Sequence, residues 1–280
     1  MPSRQPAQFR PQLQIRPQLQ LAPQPQLQPQ HRTQSRQQPQ QNHLLAALSP
    51  EVQCRMFPDL ELVQLPLREI LFESGRRISH VYFPTDSVIL TQYMTLEGSP
   101  TAVQMVGCEG LLGLSLFLGA ESTPSESLVQ IAGFAYRIPR RKVEEEFSRH
   151  GQFLDLVLRY AQSLMTQASQ TAACNRRHSI DQQLCRWLLH SIDRQPHNQL
   201  AMTQEFIGNM LGVRREGVSQ AALKLQAQGV ISYTRGMITV LDRRALESLS
   251  CECYGVVKKE TDRLLHYVPQ CRPTTNPHYS

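Results

Sequence analysis

Residues 202–220 read MTQEFIGNMLGVRREGVSQ, and this stretch predicts two short helices joined by a tight turn. Thr203 is placed to cap the first helix, and apolar side chains follow it at helical spacing. Gly212 supplies the turn, because glycine adopts the left-handed backbone that two helices at a steep angle require. The second helix starts at two adjacent arginines, Arg214 and Arg215. Such a pair is either an ordinary solvated surface or a surface directed at an acidic partner.

The two predicted helices have faces of different character. The apolar, inward face consists of Phe206, Ile207, Met210, Leu211, Val218, Ala221, Ala222 and Leu225. The residues predicted to contact DNA are Thr203, Arg214, Arg215, Glu216, Ser219, Gln220 and Lys224. An arginine donates two bonds to guanine, a carboxylate accepts from cytosine, and Gln220 suits adenine or a phosphate. This is the helix-turn-helix arrangement, in which the start of the second helix reaches base edges.

A β-hairpin is predicted directly after these helices. The sequence VISYTRGMITVLD at 230–242 alternates apolar and polar residues around a turn at Arg235–Gly236. Tyr233 and Arg235 are the predicted contacts of this wing. Two helices followed by such a hairpin indicate a winged helix-turn-helix.

Upstream, residues 143–177 contain no proline and predict one long helix. One apolar stripe, assigned to dimerisation, comprises Phe153, Val157, Tyr160, Leu164 and Thr171. A neighbouring stripe comprises Leu154, Leu158, Ala161, Met165, Ala168 and Ala172. Two stripes exceed what one domain surface needs, which favours a homodimer; the alternative is that both are internal core. A further helix at 179–195 begins at the capping residues Ser179 and Asp181, which places a hinge near His178–Asp181.

Between the N-terminus and the long helix the pattern changes to short strands. After a short helical segment at 42–57, strands are predicted at 62–67, 69–73, 80–84, 87–94, 102–107, 127–132 and 134–139. Turn residues separate them, which is typical of an antiparallel sandwich or roll.

The first 43 residues are a low-complexity segment rich in Gln and Pro, with PQLQ repeated three times. Such a composition cannot offset its ordering entropy, so we expect disorder. The segment carries five arginines and no acidic residue, whereas 44–150 has a net charge of −4 and 151–280 of +5. This asymmetry suggests a polyanion-facing half beside a half with another task.

Cofactor and membrane signals are weak. The seven cysteines form no CxxC, and the one close pair, Cys251-x-Cys253, has no further ligands at zinc-site spacing, so no metal or other cofactor is predicted.

The longest apolar stretch, 110–120, is too short to span a bilayer, and the N-terminus lacks a signal-peptide core. We therefore expect a cytoplasmic protein without membrane contact. No P-loop, dinucleotide fingerprint or HExxH occurs, and no enzyme is predicted.

The chain has a β-domain, then a long helix, and then the sequence LAMTQEFIGNMLGVRREGVSQAALKLQAQGVISYTRGMITVLDRRAL. In this order of parts it resembles the Crp/Fnr family of bacterial transcription regulators over about residues 44–250. The resemblance implies an α+β fold: an antiparallel, cyclic-nucleotide-binding-like β-roll, a dimerisation helix and a winged helix-turn-helix. The expected divisions are a disordered tail at 1–43, the β-roll at 44–150, the dimerisation helix and hinge at 151–178, the DNA-binding domain at 179–270 and a second tail at 271–280. The implied partners are double-stranded DNA with a near-palindromic operator, a second copy of the chain and, as a candidate, RNA polymerase.

By position in that family, Arg215, Glu216 and Gln220 occupy the base-reading slots of the recognition helix. Family members often have Arg at the third slot, so Gln220 leaves the preferred half-site open.

The family's cAMP-binding members hold the ribose and phosphate with Gly-Glu followed by Arg-Ser. In the matching segment here, 107–133, Leu111 stands where the glutamate belongs, and Thr123, Pro124 and Ser125 stand where the arginine and serine belong. A buried phosphate without a cation is costly, so cAMP binding is not expected. The pocket is instead filled by Leu111, Leu114, Leu116 and Leu118 or takes an apolar, uncharged ligand. A haem sensor would need an axial ligand such as His80 or His150.

The leading hypothesis is a dimeric, sequence-specific transcription regulator. The alternative is a protein-interaction module that uses the β-roll and the Gln-rich tail, with DNA contact secondary.

Overall fold

The computed structural model describes residues 37–94, 100–195 and 197–265. Its first two α-helices are α1 (His43–Ala46) and α2 (Pro50–Met56). The side chain of Asn42 caps α1 and donates to the carbonyl oxygens of Pro84, at 2.9 Å, and Gly110, at 2.8 Å. Residues 37–43, which the sequence places in the tail, therefore pack on the β-domain. The PQLQ repeats lie outside the described residues.

The β-domain is built from two antiparallel sheets. Its strands are β1 (Glu61–Leu65), β2 (Ile70–Phe72), β3 (His80–Pro84), β4 (Val88–Met94), β5 (Pro100–Val106), β6 (Glu126–Ile131) and β7 (Gly133–Pro139). One sheet has the order β1-β7-β3, and the other has the order β2-β6-β4-β5. Fully buried side chains such as Val81, Phe83 and Ile138 form the core between the sheets. All seven predicted strands are confirmed, with small shifts at their ends.

The predicted continuous helix over 143–177 is wrong. The structure has two helices, α3 (Arg140–Phe147) and α4 (Gln152–Arg177). His150 adopts a left-handed backbone, with φ of 54°, and Gly151 is extended, so the hydrogen-bond ladder ends between the two helices. The break lets α3 lie beside β3 and β7 while α4 runs on toward the C-terminal domain.

The C-terminal domain has the predicted order of helices and wing. Its elements are α5 (Ile180–Asp193), β8 (Gln199–Ala201), α6 (Gln204–Leu211), α7 (Arg215–Ala227), β9 (Ile231–Thr234), β10 (Met237–Val240), α8 (Arg243–Leu249) and α9 (Glu252–Leu265). Ser179 caps α5 through a capping box with Gln182, as expected for the start of this helix. Arg235 and Gly236, with φ of 50° and 79°, form the hairpin turn, and β8 adds a third strand to the wing.

The two domains share part of their apolar core. Val88, Leu90 and Met105 of the β-domain belong to the same buried cluster as the core residues of α5, α6 and α7. In addition, α9 packs along α4. In the described part of the chain, none of the helices has the length and apolar character to cross a membrane.

Candidate DNA interface

The turn between α6 and α7 fixes the angle of the helix pair. The hydroxyl of Thr203 accepts from the backbone N–H of Phe206 at 3.1 Å and so caps α6. Gly212 ends α6 in the left-handed conformation, with φ of 67°. A Cβ on Gly208 would lie 2.9 Å from the carbonyl oxygen of Val213, so only glycine allows this close approach. The predicted cap and turn are therefore confirmed.

The inward face of the pair is the predicted one. Ile207, Met210 and Leu211 on α6, and Val218, Ala221, Ala222 and Leu225 on α7, are buried in one cluster; Phe206 is partly buried against it. Gly217 approaches α5, since a Cβ there would lie 2.8 Å from the Ile180 Cδ1 atom. Burial of this face leaves the opposite side of α7 to solvent.

Three of the predicted DNA-contacting side chains already have partners inside the chain. The Thr203 hydroxyl caps α6, and the Ser219 hydroxyl donates to Oε1 of Gln204 across the two helices. Lys224 forms an ion pair with Asp181 of α5 at 2.7 Å. These contacts stabilise the angle of α7 against its neighbours, and they give the three residues a role in positioning the helix.

The other four predicted side chains project freely. Arg214, Arg215, Glu216 and Gln220 are exposed, and none of their side chains hydrogen-bonds or forms an ion pair with another described residue. Arg214 is the N-cap of α7 and has extended backbone, so both arginines lie at the positive end of the helix dipole. Two unneutralised guanidinium groups at a helix N-terminus form a surface suited to a polyanion.

The two predicted wing contacts, Tyr233 and Arg235, have different surroundings. The hydroxyl of Tyr233 donates to the carbonyl oxygen of Met202 at 3.1 Å, and burial raises the pKa of this phenol. Its backbone N–H donates to Oε1 of Gln226 at 3.1 Å. Tyr233 therefore holds the wing to the helices, whereas Arg235 is exposed at the hairpin tip.

The predicted dimer stripe requires a correction. Phe153, Val157 and Tyr160 are buried in the core of their own β-domain, Leu164 packs against that core, and Thr171 accepts a hydrogen bond from Arg186. These side chains already have contacts within the chain, because α4 packs against the β-domain core with this face. The neighbouring stripe is the exposed one: Leu158 is 48% exposed and Met165 is 65% exposed.

In the sensor-like segment, three of the four leucines predicted to fill the pocket pack into the core of the β-domain. Leu111 and Leu116 are buried in the β-domain core, and Leu114 packs against it. Leu118 departs from the prediction because it is 62% exposed. The Tyr160 hydroxyl donates to the Leu111 carbonyl oxygen at 3.4 Å, which joins this segment to α4.

An apolar cleft of about 310 Å³ lies elsewhere, between the β2-β6-β4-β5 sheet and α6. Its lining includes Leu67, Ile70, Met94, Phe206 and Met210. This cleft, formed by described residues at the junction of the two domains, is large enough for a small molecule.

The sequence did not single out one polar contact between the domains. Arg194, at the end of α5, is buried and donates to Glu109 Oε1 at 2.8 Å, to the His190 carbonyl oxygen and to Gln167 of α4. Gly107 lies against it, since a Cβ there would be 2.5 Å from the Arg194 Cβ atom. This guanidinium connects three elements that are far apart in sequence, so no local pattern indicates it.

The histidines considered as haem ligands lie apart. His80 is on β3 beside Tyr82, and desolvation together with Arg137 lowers its pKa. His150 is exposed in the turn before α4. A different group of ligand-type side chains meets at the end of α4, where Cys174 and His178 approach Cys251 and Cys253.

The fold is a winged helix-turn-helix joined to a β-roll, with an exposed arginine surface at the start of α7. Residues 182–249 match the family model described as the Crp-like helix-turn-helix domain. The chain thus contains a Crp-like helix-turn-helix domain, which agrees with the resemblance to Crp/Fnr regulators that its sequence predicts.

Solved structures share the fold of the chain. FixK2 from Bradyrhizobium japonicum has 17% identity and a TM-score of 0.60, and the match covers 69% of this chain and 98% of that one. A putative Crp/Fnr regulator from Eubacterium rectale has 19% identity and a TM-score of 0.54, over 74% and 96% of the two chains. CLP from Xanthomonas campestris, described as a c-di-GMP responsive global regulator, has 13% identity and a TM-score of 0.55, over 69% and 100%. Comparison with curated proteins found no match.

Proposed function

We propose that the chain is a sequence-specific transcription regulator that binds a near-palindromic operator as a homodimer. The observation that carries this proposal is the free, exposed set Arg214, Arg215, Glu216 and Gln220 at the start of α7. The contacts of Thr203, Ser219 and Lys224 hold that helix in place. A rigid helix whose N-terminal side chains are unpaired is the arrangement that major-groove reading requires.

Within this set the roles differ by position. Arg215 and Glu216 lie in the first turn of α7 and are the proposed base contacts, to guanine and cytosine respectively. Arg214 precedes the helix and is the proposed phosphate contact. Arg235 at the wing tip is a second proposed phosphate contact. Two such helices in a two-fold dimer would read half-sites one helical turn apart.

Selection of random duplex DNA by the full chain, at a stated salt concentration, tests the proposal. We expect recovery of a two-fold-symmetric motif, and the base opposite Gln220 will identify the third slot. Arg215→Ala should weaken binding to the selected site by about 1–3 kcal/mol, roughly 5- to 150-fold, and relax one base position. Arg214→Ala should weaken all sequences alike.

The control for these variants is Arg141→Ala, which removes an arginine of the β-domain whose side chain is 89% exposed. It should leave the selected motif and the affinity unchanged. Recovery of no motif by the wild type, together with capture of a partner protein, would favour an interaction module instead.

We further propose that the β-roll does not bind cAMP. Leu111 is fully buried where the family's glutamate belongs, and the segment carries no arginine at the position of the phosphate ligand. Titration calorimetry with cAMP should give no binding heat at micromolar concentrations. Stoichiometric binding would contradict the proposal.

A further inference from the structure

Four metal-ligand side chains meet where α4 ends and α9 begins. Cys174 and His178 are one helical turn apart at the end of α4, and Cys251 and Cys253 flank the first residue of α9. One ligand atom from each of the four, three sulfurs and a ring nitrogen, lies within 4.8 Å of all the others. The sequence shows only the Cys251-x-Cys253 half, because Cys174 is 77 residues away from Cys251.

The distances within the cluster are those between the ligands of a tetrahedral metal. Cys174 Sγ lies 3.5 Å from Cys251 Sγ, and Cys253 Sγ lies 3.6 Å from His178 Nδ1. With zinc–sulfur bonds of about 2.3 Å and zinc–nitrogen bonds of about 2.05 Å, tetrahedral geometry puts two sulfurs about 3.8 Å apart and a sulfur and a nitrogen about 3.6 Å apart. The cluster is therefore already close to the shape of a closed four-ligand site.

The surroundings of His178 also suit a metal ligand. Its Nδ1 atom faces Cys253, while its Nε2 atom lies 3.3 Å from Oε1 of Glu252. A carboxylate on the outer ring nitrogen fixes the tautomer that leaves Nδ1 unprotonated, as is usual for metal-bound histidine. Glu252 is thus placed to orient the ligand.

Ordinary packing does not account for this group. Its three cysteines are buried and form a cluster separate from both apolar cores. Cys185, by contrast, is a buried thiol surrounded by the apolar core of the DNA-binding domain. Three sulfurs therefore converge on one imidazole, an arrangement that a bound cation would stabilise.

We propose that Cys174, His178, Cys251 and Cys253 bind one Zn²⁺ ion in a tetrahedral, structural site. Three thiolates and an imidazole are a ligand set that selects zinc, and four protein ligands leave no open position for catalysis. Arg186 of α5 lies near Cys174, and its positive charge would offset part of the negative charge of three thiolates around a divalent ion.

Such a site would join the two ends of the C-terminal domain to α4. His178 is the residue at which α4 gives way to α5, and α9 is the last helix of the described chain. The bound ion would hold the start of α9 against the end of α4 and so fix the joint that leads to the DNA-binding domain. This inference is independent of DNA recognition, because its test measures the metal.

Cobalt titration of the full chain tests the site. The protein is stripped with a chelator under reducing, anaerobic conditions and titrated with Co²⁺ and then with Zn²⁺. We expect one Co²⁺ per chain, with the thiolate charge-transfer and visible d–d bands of tetrahedral cobalt, and loss of both signals when Zn²⁺ is added. The protein as isolated should also contain zinc by mass spectrometry.

Variants separate the site from adventitious binding. Cys251→Ser should abolish the cobalt spectrum, whereas Cys185→Ser and the exposed-thiol variant Cys54→Ser should keep it. His178→Ala should weaken cobalt binding at least tenfold, and His178→Cys should restore it with a fourth thiolate. The proposal is overturned if wild type binds Co²⁺ no better than Cys251→Ser. It is equally overturned if thiol trapping at lysis shows a Cys174–Cys251 disulfide in the isolated chain.

Discussion

At the scale of single residues, we expect His190 to make the stability of the DNA-binding domain depend on pH. Its ring is buried against Tyr254, at 5.3 Å between ring centroids, and Arg194 and Arg186 lie nearby. Desolvation first, and then these positive charges, hold the pKa of His190 well below its usual 6.5. The folded state therefore keeps the imidazole neutral, while the unfolded chain takes up a proton as the pH falls below about 6.5.

The expected result is a free energy of unfolding that declines from pH 6.5 toward pH 5, by up to about 1.4 kcal/mol per pH unit from this group. His190→Gln should flatten the slope in this window, whatever it does to stability at pH 7.5. Urea unfolding at several pH values measures the slope. The matched control is His150→Asn at an exposed, left-handed position, which asparagine tolerates; an equal loss of slope in both variants would contradict the prediction.

Residue-level predictions from the sequence succeeded where the pattern is local. The buried faces of α6 and α7 follow from helical spacing, and the turn at Gly212 follows from backbone freedom. The partners of polar side chains were not predictable. Ser219 and Lys224 are outward by periodicity, but their partners Gln204 and Asp181 lie on other helices, and only the packed structure brings them together.

At the scale of elements, the long helix shows what periodicity leaves undecided. The break before α4 has no proline, and it depends on the left-handed backbone of His150, which helical spacing does not reveal. The sequence also contains two apolar stripes but does not say which one the β-domain buries. The β-domain buries the stripe of Phe153, Val157 and Tyr160. The neighbouring stripe is therefore the one that a second copy of the chain can contact.

We therefore expect Leu158→Glu combined with Met165→Glu to shift the chain from dimer to monomer. Both side chains are exposed on α4, at 48% and 65%, and two carboxylates on each helix would repel and remain unpaired in a dimer interface. Sedimentation velocity of the full chain measures the change. Leu118→Glu alters an equally exposed leucine of the β-domain and should leave the oligomeric state as it is. A monomeric wild type, or a dimer that survives both substitutions, would contradict this assignment.

At the scale of the whole molecule, an ion pair between described residues joins the two domains. Glu109 of the β-domain and Arg194 of the DNA-binding domain meet at 2.8 Å and are both largely buried. At the far end of α4, the cysteine and histidine cluster joins α4 to the start of α9. The sequence shows neither the ion pair nor the complete cluster, because each depends on residues tens of positions apart.

Glu109→Ala is expected to lower the free energy of unfolding by about 2–3 kcal/mol, because it leaves the Arg194 guanidinium buried without its carboxylate. Remaining bonds from Arg194 to His190 and Gln167 keep the loss below that of a fully isolated charge. The control is Glu61→Ala, which removes an exposed carboxylate from Arg137 within the β-domain and should cause no measurable change. Urea unfolding of both variants measures the difference. If Glu109→Ala is as harmless as Glu61→Ala, the shared apolar core of Val88, Leu90 and Met105 alone holds the domains together.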